Sequence, residues 1–186
     1  MNSDGDRMNP TTLERLMMLL WPNGDDASGD GVYWLLDGAR DPGIVQWLRS
    51  GELRFSCLYS GQMTPSLEAA APYLVQLMPK SPVTRELLER GWGRAWGIFI
   101  LAPAALPMLA IRLHLKKFLR VRTEDKKLLM FRYYDPRVLS VFLPTCTDEE
   151  FTKFLGPLNR LLVELDEGER WNIFDLEDRS LRIVSA

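Results

Sequence analysis

The sequence predicts an α/β (α+β) fold: a single mixed sheet of about four or five strands flanked by helices, with a small C-terminal lobe. Two observations support this class. Segments of helical and of strand character alternate along the chain, and hydrophobic residues make up 46% of its 186 residues, which is enough for one ordinary core. We therefore expect an α/β lobe over residues 1–146 and a small acidic lobe or extension over residues 147–186.

Helix caps and apolar runs locate the individual elements. Thr11–Glu14 is a capping-box pattern, and Thr147 precedes three carboxylates that are typical of a first helical turn. The uninterrupted apolar run 32–36 is typical of a central strand that is buried on both faces. In chain order, we predict a helix over residues 12–20, strand 32–36, helix 41–49, strand 53–59, an interrupted helix 65–77, helix 81–90, strand 96–101, a long helix 104–122, strand 128–134 and a helix that begins at 147.

The net charge of −2 hides a basic segment between two acidic ones. Residues 112–137 carry 9 basic and 3 acidic groups, whereas the segments before and after them have net charges of −3 and −5. Residues spaced by four share a face of the predicted long helix. On this helix, Arg112, Lys116 and Arg120 form a basic stripe. The stripe is either an ordinary solvated face or a docking surface for an acidic partner. The candidate partner-binding residues are Arg112, Lys116, Arg120, Arg132 and Arg137.

Few residues offer catalytic or metal-binding chemistry. The one histidine, His114, excludes a His-rich metal site, and we interpret it as a packed side chain. Cys57 and Cys146 lie far apart and form neither a zinc-binding nor a redox motif. We predict no catalytic residue, no cofactor and no metal. We assign structural roles in turns to Asp37, Gly38, Asp135 and Pro136.

Three aspartates follow predicted strands, where the sites of α/β proteins are often built. They are Asp37, Asp41 and Asp135. Arg132 and Arg137 flank Asp135, and guanidinium groups so near lower the pKa of a carboxyl and make it a poor general acid. We therefore expect a structural Arg–Asp–Arg network that fixes a turn.

The apolar segment 95–111 is too short for a membrane span. It has 17 uncharged residues including two prolines, whereas a bilayer requires about 20. We interpret it as a buried strand, a turn and the start of a helix. The polar N-terminus lacks a secretory pattern, so we expect a cytoplasmic protein without a membrane partner.

Several segments, taken in order, resemble a known family. They are Leu20-Trp21, the motif 33–39 (Tyr-Trp-Leu-Leu-Asp-Gly-Ala), 72–77, 96–101, 113–121 and 130–139. The most specific piece is Phe131-Arg-Tyr-Tyr-Asp-Pro-Arg137. Their order and spacing resemble the adaptor, or effector-chaperone, proteins of bacterial type VI secretion, over about residues 20–158.

This resemblance implies a non-enzymatic protein that binds a toxic effector, commonly near its N-terminal part, and helps to load it onto the VgrG spike. It also implies an α/β lobe followed by a more variable lobe, of which little chain remains here. The motif residues that the resemblance carries over as fold or surface determinants are Asp37, Gly38, Arg132, Tyr134, Asp135 and Arg137. Two alternatives stay open: a nucleic-acid-binding module that uses residues 112–137, and a small hydrolase that uses the three aspartates.

Overall fold

The computed structural model describes residues 10–22, 29–51, 53–122, 125–177 and 180–185. These residues form seven α-helices and nine strands. The helices are α1 (Pro10–Leu20), α2 (Gly43–Ser50), α3 (Pro65–Ala69), α4 (Pro82–Gly91), α5 (Met108–Lys116), α6 (Pro136–Phe142) and α7 (Asp148–Leu155). The strands are β1 (Gly31–Asp37), β2 (Phe55–Cys57), β3 (Pro72–Leu77), β4 (Gly97–Ala102), β5 (Arg120–Arg122), β6 (Leu128–Met130), β7 (Arg160–Leu165), β8 (Arg170–Glu177) and β9 (Ser180–Ser185).

Seven of these strands form one sheet in the order β2-β3-β1-β4-β7-β8-β9. All pairings between the described strands are antiparallel. The prediction of a mixed sheet with four or five strands is therefore wrong, although the α+β class is confirmed. Alternation of helices with strands is compatible with either kind of sheet, because helices also connect antiparallel strands.

Two segments account for the additional strands. Residues 72–77, expected in an interrupted helix, form β3. Pro72 occupies the first position of that strand, which is a place where a strand tolerates proline. The acidic end of the chain forms β7–β9, and β7 pairs with β4 through Leu162 opposite Phe99. The predicted division at residue 146 thus falls between α6 and α7, while one sheet runs through both segments.

The predicted long helix over residues 104–122 is also wrong in its length. Helix α5 ends at Lys116, and Arg120 already belongs to β5, which pairs with β6 as a separate two-stranded ribbon. We call these two strands the β5–β6 ribbon. Helical spacing therefore relates Arg112 to Lys116 but does not extend to Arg120.

Helices cover both faces of the sheet. Strand β1 directs Trp34 and Leu36 into one core and Tyr33 and Leu35 into the other, as the period of two in a strand requires. The first core is packed by α1, α2 and α4, and in it Trp34 stacks on Phe99 with ring centroids 4.5 Å apart. The second core is packed by α5, α6 and α7. The expectation that β1 is buried on both faces is confirmed.

The apolar segment 95–111 forms β4 and the first part of α5, as predicted. Within the described part of the chain, we find no helix with both the length and the apolar character that crossing a membrane requires.

Gly38→Ala tests the close approach of the chain after β1. A Cβ atom at Gly38 would lie 2.6 Å from the carbonyl oxygen of Ala69 and 2.7 Å from that of Ala71. Backbone atoms next to β3 cannot move without disturbing the sheet. We expect this variant to lower the free energy of unfolding by about 1–3 kcal/mol in chemical denaturation.

The matched control for this prediction is Gly43→Ala. A Cβ atom at Gly43 would meet only the carboxylate of Asp41, at 3.1 Å, and a side chain can move aside. The control should change the free energy of unfolding by less than about 0.5 kcal/mol. Equal stability of the two variants would contradict the prediction.

Candidate functional site

Asp37 lies at the end of β1 and is fully buried. Its carboxylate accepts a hydrogen bond from the backbone N–H of Ala39 at 3.0 Å and forms an ion pair with Arg132. The hydrogen bond to Asp37 raises the pKa of Arg132 above its ordinary value. Because Arg132 follows β6 by two residues, this ion pair ties the β5–β6 ribbon to the end of a central strand.

Asp135 caps the N-terminus of α6 and binds Arg137. Its Oδ1 accepts from the backbone N–H of Arg137 at 3.0 Å and from Nε at 2.9 Å, while its Oδ2 accepts from the other side of the guanidinium at 2.6 Å. Burial raises the pKa of Asp135, but the hydrogen bonds from Arg137 outweigh that effect and hold the pKa below its ordinary value. The carboxylate is therefore ionised at neutral pH.

The prediction that Arg132 and Arg137 both pair with Asp135 is thus wrong for one of the two arginines. Arg137 binds Asp135, as predicted, but the carboxylate that pairs with Arg132 is Asp37. Asp37 lies 95 residues earlier in the chain, so proximity in sequence could not reveal the pairing.

The tyrosines between these arginines point inward. Tyr133 and Tyr134 are both buried, and the hydroxyl of Tyr133 donates to the carbonyl oxygen of Leu115 at 2.7 Å. Pro136 is buried at the first position of α6. The motif 131–137 therefore fastens the ribbon, α5 and α6 to the sheet.

Arg112 clamps the loop after β2 against α5. Its Nε donates to the carbonyl oxygen of Cys57 at 2.6 Å, and its guanidinium also donates to the carbonyl oxygen of Tyr59 and to the Ser60 hydroxyl, both at 3.0 Å. Lys116 donates to the same hydroxyl at 2.7 Å. Of the predicted partner-binding residues, Arg112, Arg132 and Arg137 therefore hold the chain's own backbone or carboxylates.

This loop, α3, the end of α5 and the ribbon enclose a groove of about 540 Å³. Among the described residues that line it, three are basic and none is acidic. We call it the basic-apolar groove. Its lining comprises Tyr59, Ser60, Gln62, Met63, Leu67, Lys116, Lys117, Leu119, Arg120 and Met130. Such a lining is suited to binding a partner with negative charges and apolar side chains.

No pattern in the sequence pointed to Glu164 on β7. It lines a second cavity of about 420 Å³, and its carboxylate accepts hydrogen bonds from the backbone N–H groups of Gly93, at 2.6 Å, and Ala95. Burial raises the pKa of Glu164 to about 7, against the opposing effect of these two hydrogen bonds. The glycines at positions 91, 93 and 97 are typical of tight backbone, but a sequence pattern cannot indicate which side chain accepts hydrogen bonds from that backbone.

The remaining candidates have local structural contacts. Nε2–H of His114 donates to the carbonyl oxygen of Phe154 at 2.8 Å, and burial lowers the pKa of His114. The histidine is packed, as predicted. Asp41 accepts from the backbone N–H of Gly43 at 2.7 Å at the start of α2. In the part of the chain that the structure describes, no group of three or more His, Cys, Asp or Glu side chains could hold a metal ion.

A family model described as a domain of unknown function, DUF4123, matches residues 32–153, which is more than half of the chain. The chain belongs to the DUF4123 family. This family is associated with the effectors of type VI secretion. Searches of the curated proteins and of the solved structures find no match to the chain. The DUF4123 region contains both ion pairs described above, whereas Glu164 lies outside it.

Arg132→Met tests the ion pair that anchors the ribbon in this DUF4123 domain. The variant leaves the carboxylate of Asp37 buried without its counter-charge. Arg132 is 45% exposed, so water partly screens its ion pair and reduces the loss below that of a fully buried pair. We expect a loss of about 2–4 kcal/mol in the free energy of unfolding. Adding Asp37→Asn should restore part of that loss, because a neutral amide needs no counter-charge.

The control is Arg85→Met, which removes an exposed ion pair with Glu89 within α4. Exposed pairs contribute little, so this loss should stay below about 1 kcal/mol. The interpretation fails if Arg132→Met is no more destabilising than Arg85→Met in denaturant titrations.

Glu164→Gln tests the ionisation of the buried carboxyl. The pKa of Glu164 rises from about 4.5 to about 7 on folding, so the folded chain binds this proton more tightly than the unfolded chain does. The contribution of Glu164 to stability is therefore fully present below pH 4.5 and is lost as pH rises to 7, by up to about 1.4 kcal/mol per pH unit.

The measurement is urea unfolding of the wild type and of Glu164→Gln at several pH values across that window. The amide cannot ionise, so the wild type should lose stability relative to the variant as pH rises. His114, with its lowered pKa, contributes the opposite slope in both proteins and cancels in the difference. A difference that does not change with pH would refute the prediction.

Proposed function

We propose that this DUF4123 protein is a non-enzymatic adaptor, or chaperone, that binds a type VI secretion effector and promotes its loading onto the VgrG spike. The observation that carries the proposal is family membership, because the DUF4123 family is associated with type VI effectors. The partners of this role are the effector, contacted near its N-terminal part, and VgrG, and the place of action is the cytoplasm.

The charged residues of the site support a scaffolding role. Asp37, Asp135 and Glu164 each bind an arginine or backbone N–H groups and so hold strands and loops in place. The basic-apolar groove leaves charge and apolar surface open for a partner. An adaptor requires binding free energy and release rather than bond chemistry, and an interface of roughly 1,200–2,000 Å² in total is sufficient for a specific complex.

Co-purification tests this role. The tagged chain is co-expressed with a type VI secretion effector and a VgrG spike protein from its own organism, and the complex is washed at low and at high salt. We expect the effector to co-purify at low salt and to be partly lost at high salt, because salt screens exposed charges. An unrelated secreted protein of similar size and charge is the control and should not be retained.

Failure to recover either partner would contradict the adaptor role. The basic segment 112–137, with its 9 basic and 3 acidic groups, supports a second candidate, a nucleic-acid-binding module. Tight binding to generic duplex or single strands with steep salt dependence, in a chain that captures no effector, would favour that candidate.

A further inference from the structure

We propose that the basic-apolar groove is the docking site for the effector, and that its occupant is an acidic amphipathic segment of that protein. This inference rests on the proposed adaptor role and adds the surface and the chemistry of the partner. Carboxylates of the segment pair with Lys116, Lys117 and Arg120, while its apolar side chains pack on Leu67 and Met130.

Exposed apolar side chains mark the groove and its rim. Leu67 is 45% exposed and Met130 is 50% exposed, and on the ribbon beside Met130 the exposed fractions of Leu128 and Leu129 are 56% and 49%. Because side chains of a strand alternate between its two faces, Leu128 shares the face of Met130, and neighbouring exposed apolar side chains of this kind mark interaction sites. Methionine adds an adaptable contact surface.

Charge decides the kind of partner. The described lining has three basic side chains and no acidic one. Lys116 donates to a neutral hydroxyl, that of Ser60, so this hydrogen bond leaves its charge uncompensated. A partner segment with carboxylates at matching positions would gain complementary electrostatics and faster association. The apolar side chains beside these charges favour an amphipathic polypeptide over a polyphosphate backbone.

The walls of the groove are held in place before any partner binds. Arg112 fixes the loop at Tyr59 and Ser60 to α5, and the ion pair of Arg132 with Asp37 fixes the ribbon to β1. The backbone N–H of Phe131 donates to the carbonyl oxygen of Leu119 at 2.9 Å and joins the ribbon to the groove floor. Pre-organised walls reduce the entropy lost on binding. Arg112 and Arg132 are therefore positioning residues and not contact residues.

The size of the groove suits a segment and not a folded domain. Its volume of about 540 Å³ lies in the range of ligand pockets, about 300–1,000 Å³, which accommodates a few side chains. The rest of the interface would lie on the face of the β5–β6 ribbon that carries Leu128 and Met130. An amphipathic helix or strand with one apolar edge fits both parts.

The first experiment measures effector capture by two pairs of groove variants. Lys117→Glu with Arg120→Glu reverses the charge, and Leu67→Ser with Met130→Ser removes the apolar contacts. We expect at least a tenfold weaker capture for each pair, with circular dichroism and melting temperature close to the wild type, because these side chains are exposed or at the groove mouth.

Matched controls place the same changes elsewhere. Arg85→Glu with Arg90→Glu reverses two charges that are 56% exposed on α4, which packs against the other core of the sheet. Leu109→Ser with Leu113→Ser removes two exposed leucines of α5 that do not line the groove. Both controls should retain effector capture. Groove variants that capture the effector as well as the wild type does would overturn the docking site and leave the adaptor role standing.

A second experiment tests the groove without the effector. The probe is a synthetic amphipathic peptide with leucines at helical spacing and glutamates elsewhere, and its binding is followed by fluorescence anisotropy. The same peptide with lysines in place of glutamates, and one with serines in place of leucines, are the controls. We expect only the Glu/Leu peptide to bind, and Lys117→Glu with Arg120→Glu to abolish that binding.

The two experiments separate the docking proposal from the adaptor role. A wild-type chain that captures no effector but binds the Glu/Leu peptide in the groove would refute the adaptor role and support the preference for acidic amphipathic segments. A wild-type chain that binds neither would refute both. Equal binding of the Glu/Leu and Lys/Leu peptides would refute the charge complementarity.

Discussion

The ion pair between Asp37 and Arg132 is the constraint on which the functional surface depends. A fully buried carboxylate is costly unless a counter-charge and hydrogen bonds compensate it, and here Arg132 and the backbone N–H of Ala39 do so. This requirement holds the chain that leaves β6 at the end of β1. The residues that follow Arg132 are thereby placed so that Asp135 caps α6. The ribbon wall of the basic-apolar groove is therefore positioned by a charge at the end of a central strand.

The basic segment of the chain divides into two groups with different tasks. Arg112 and Arg132 bind carbonyl groups or a carboxylate of the protein itself, so they contribute to the fold. Lys117 and Arg120 are exposed at the mouth of the groove, where water solvates their charge until a partner replaces it. One cluster of positive charge thus supports both the shape of the groove and its proposed preference for acidic partners.

The DUF4123 region makes structural contacts with residues that follow the matched segment. Strand β4 lies within the match, and without β7 the row of N–H and C=O groups along one of its edges would be unpaired. Glu164, also beyond the match, binds the backbone N–H groups of Gly93 and Ala95 and so holds the loop that leads into β4. The acidic end of the chain therefore completes the sheet and part of its hydrogen bonding.

The sequence by itself determined the α+β class, the burial of β1 on both faces, the cap of α7 at Thr147, and the motif that leads to the family. These features can be read from patterns of neighbouring residues or from the order of short segments along the chain, so they require no knowledge of tertiary contacts. Only the tertiary structure decided that Arg132 pairs with Asp37, that Glu164 binds the loop before β4, and that α5 stops short of Arg120 to leave a groove. The first two follow from contacts between residues far apart in the chain, because a buried charge or backbone group takes whichever partner the folded sheet places beside it. The end of α5 follows from the pairing of Arg120 with Met130 in the ribbon.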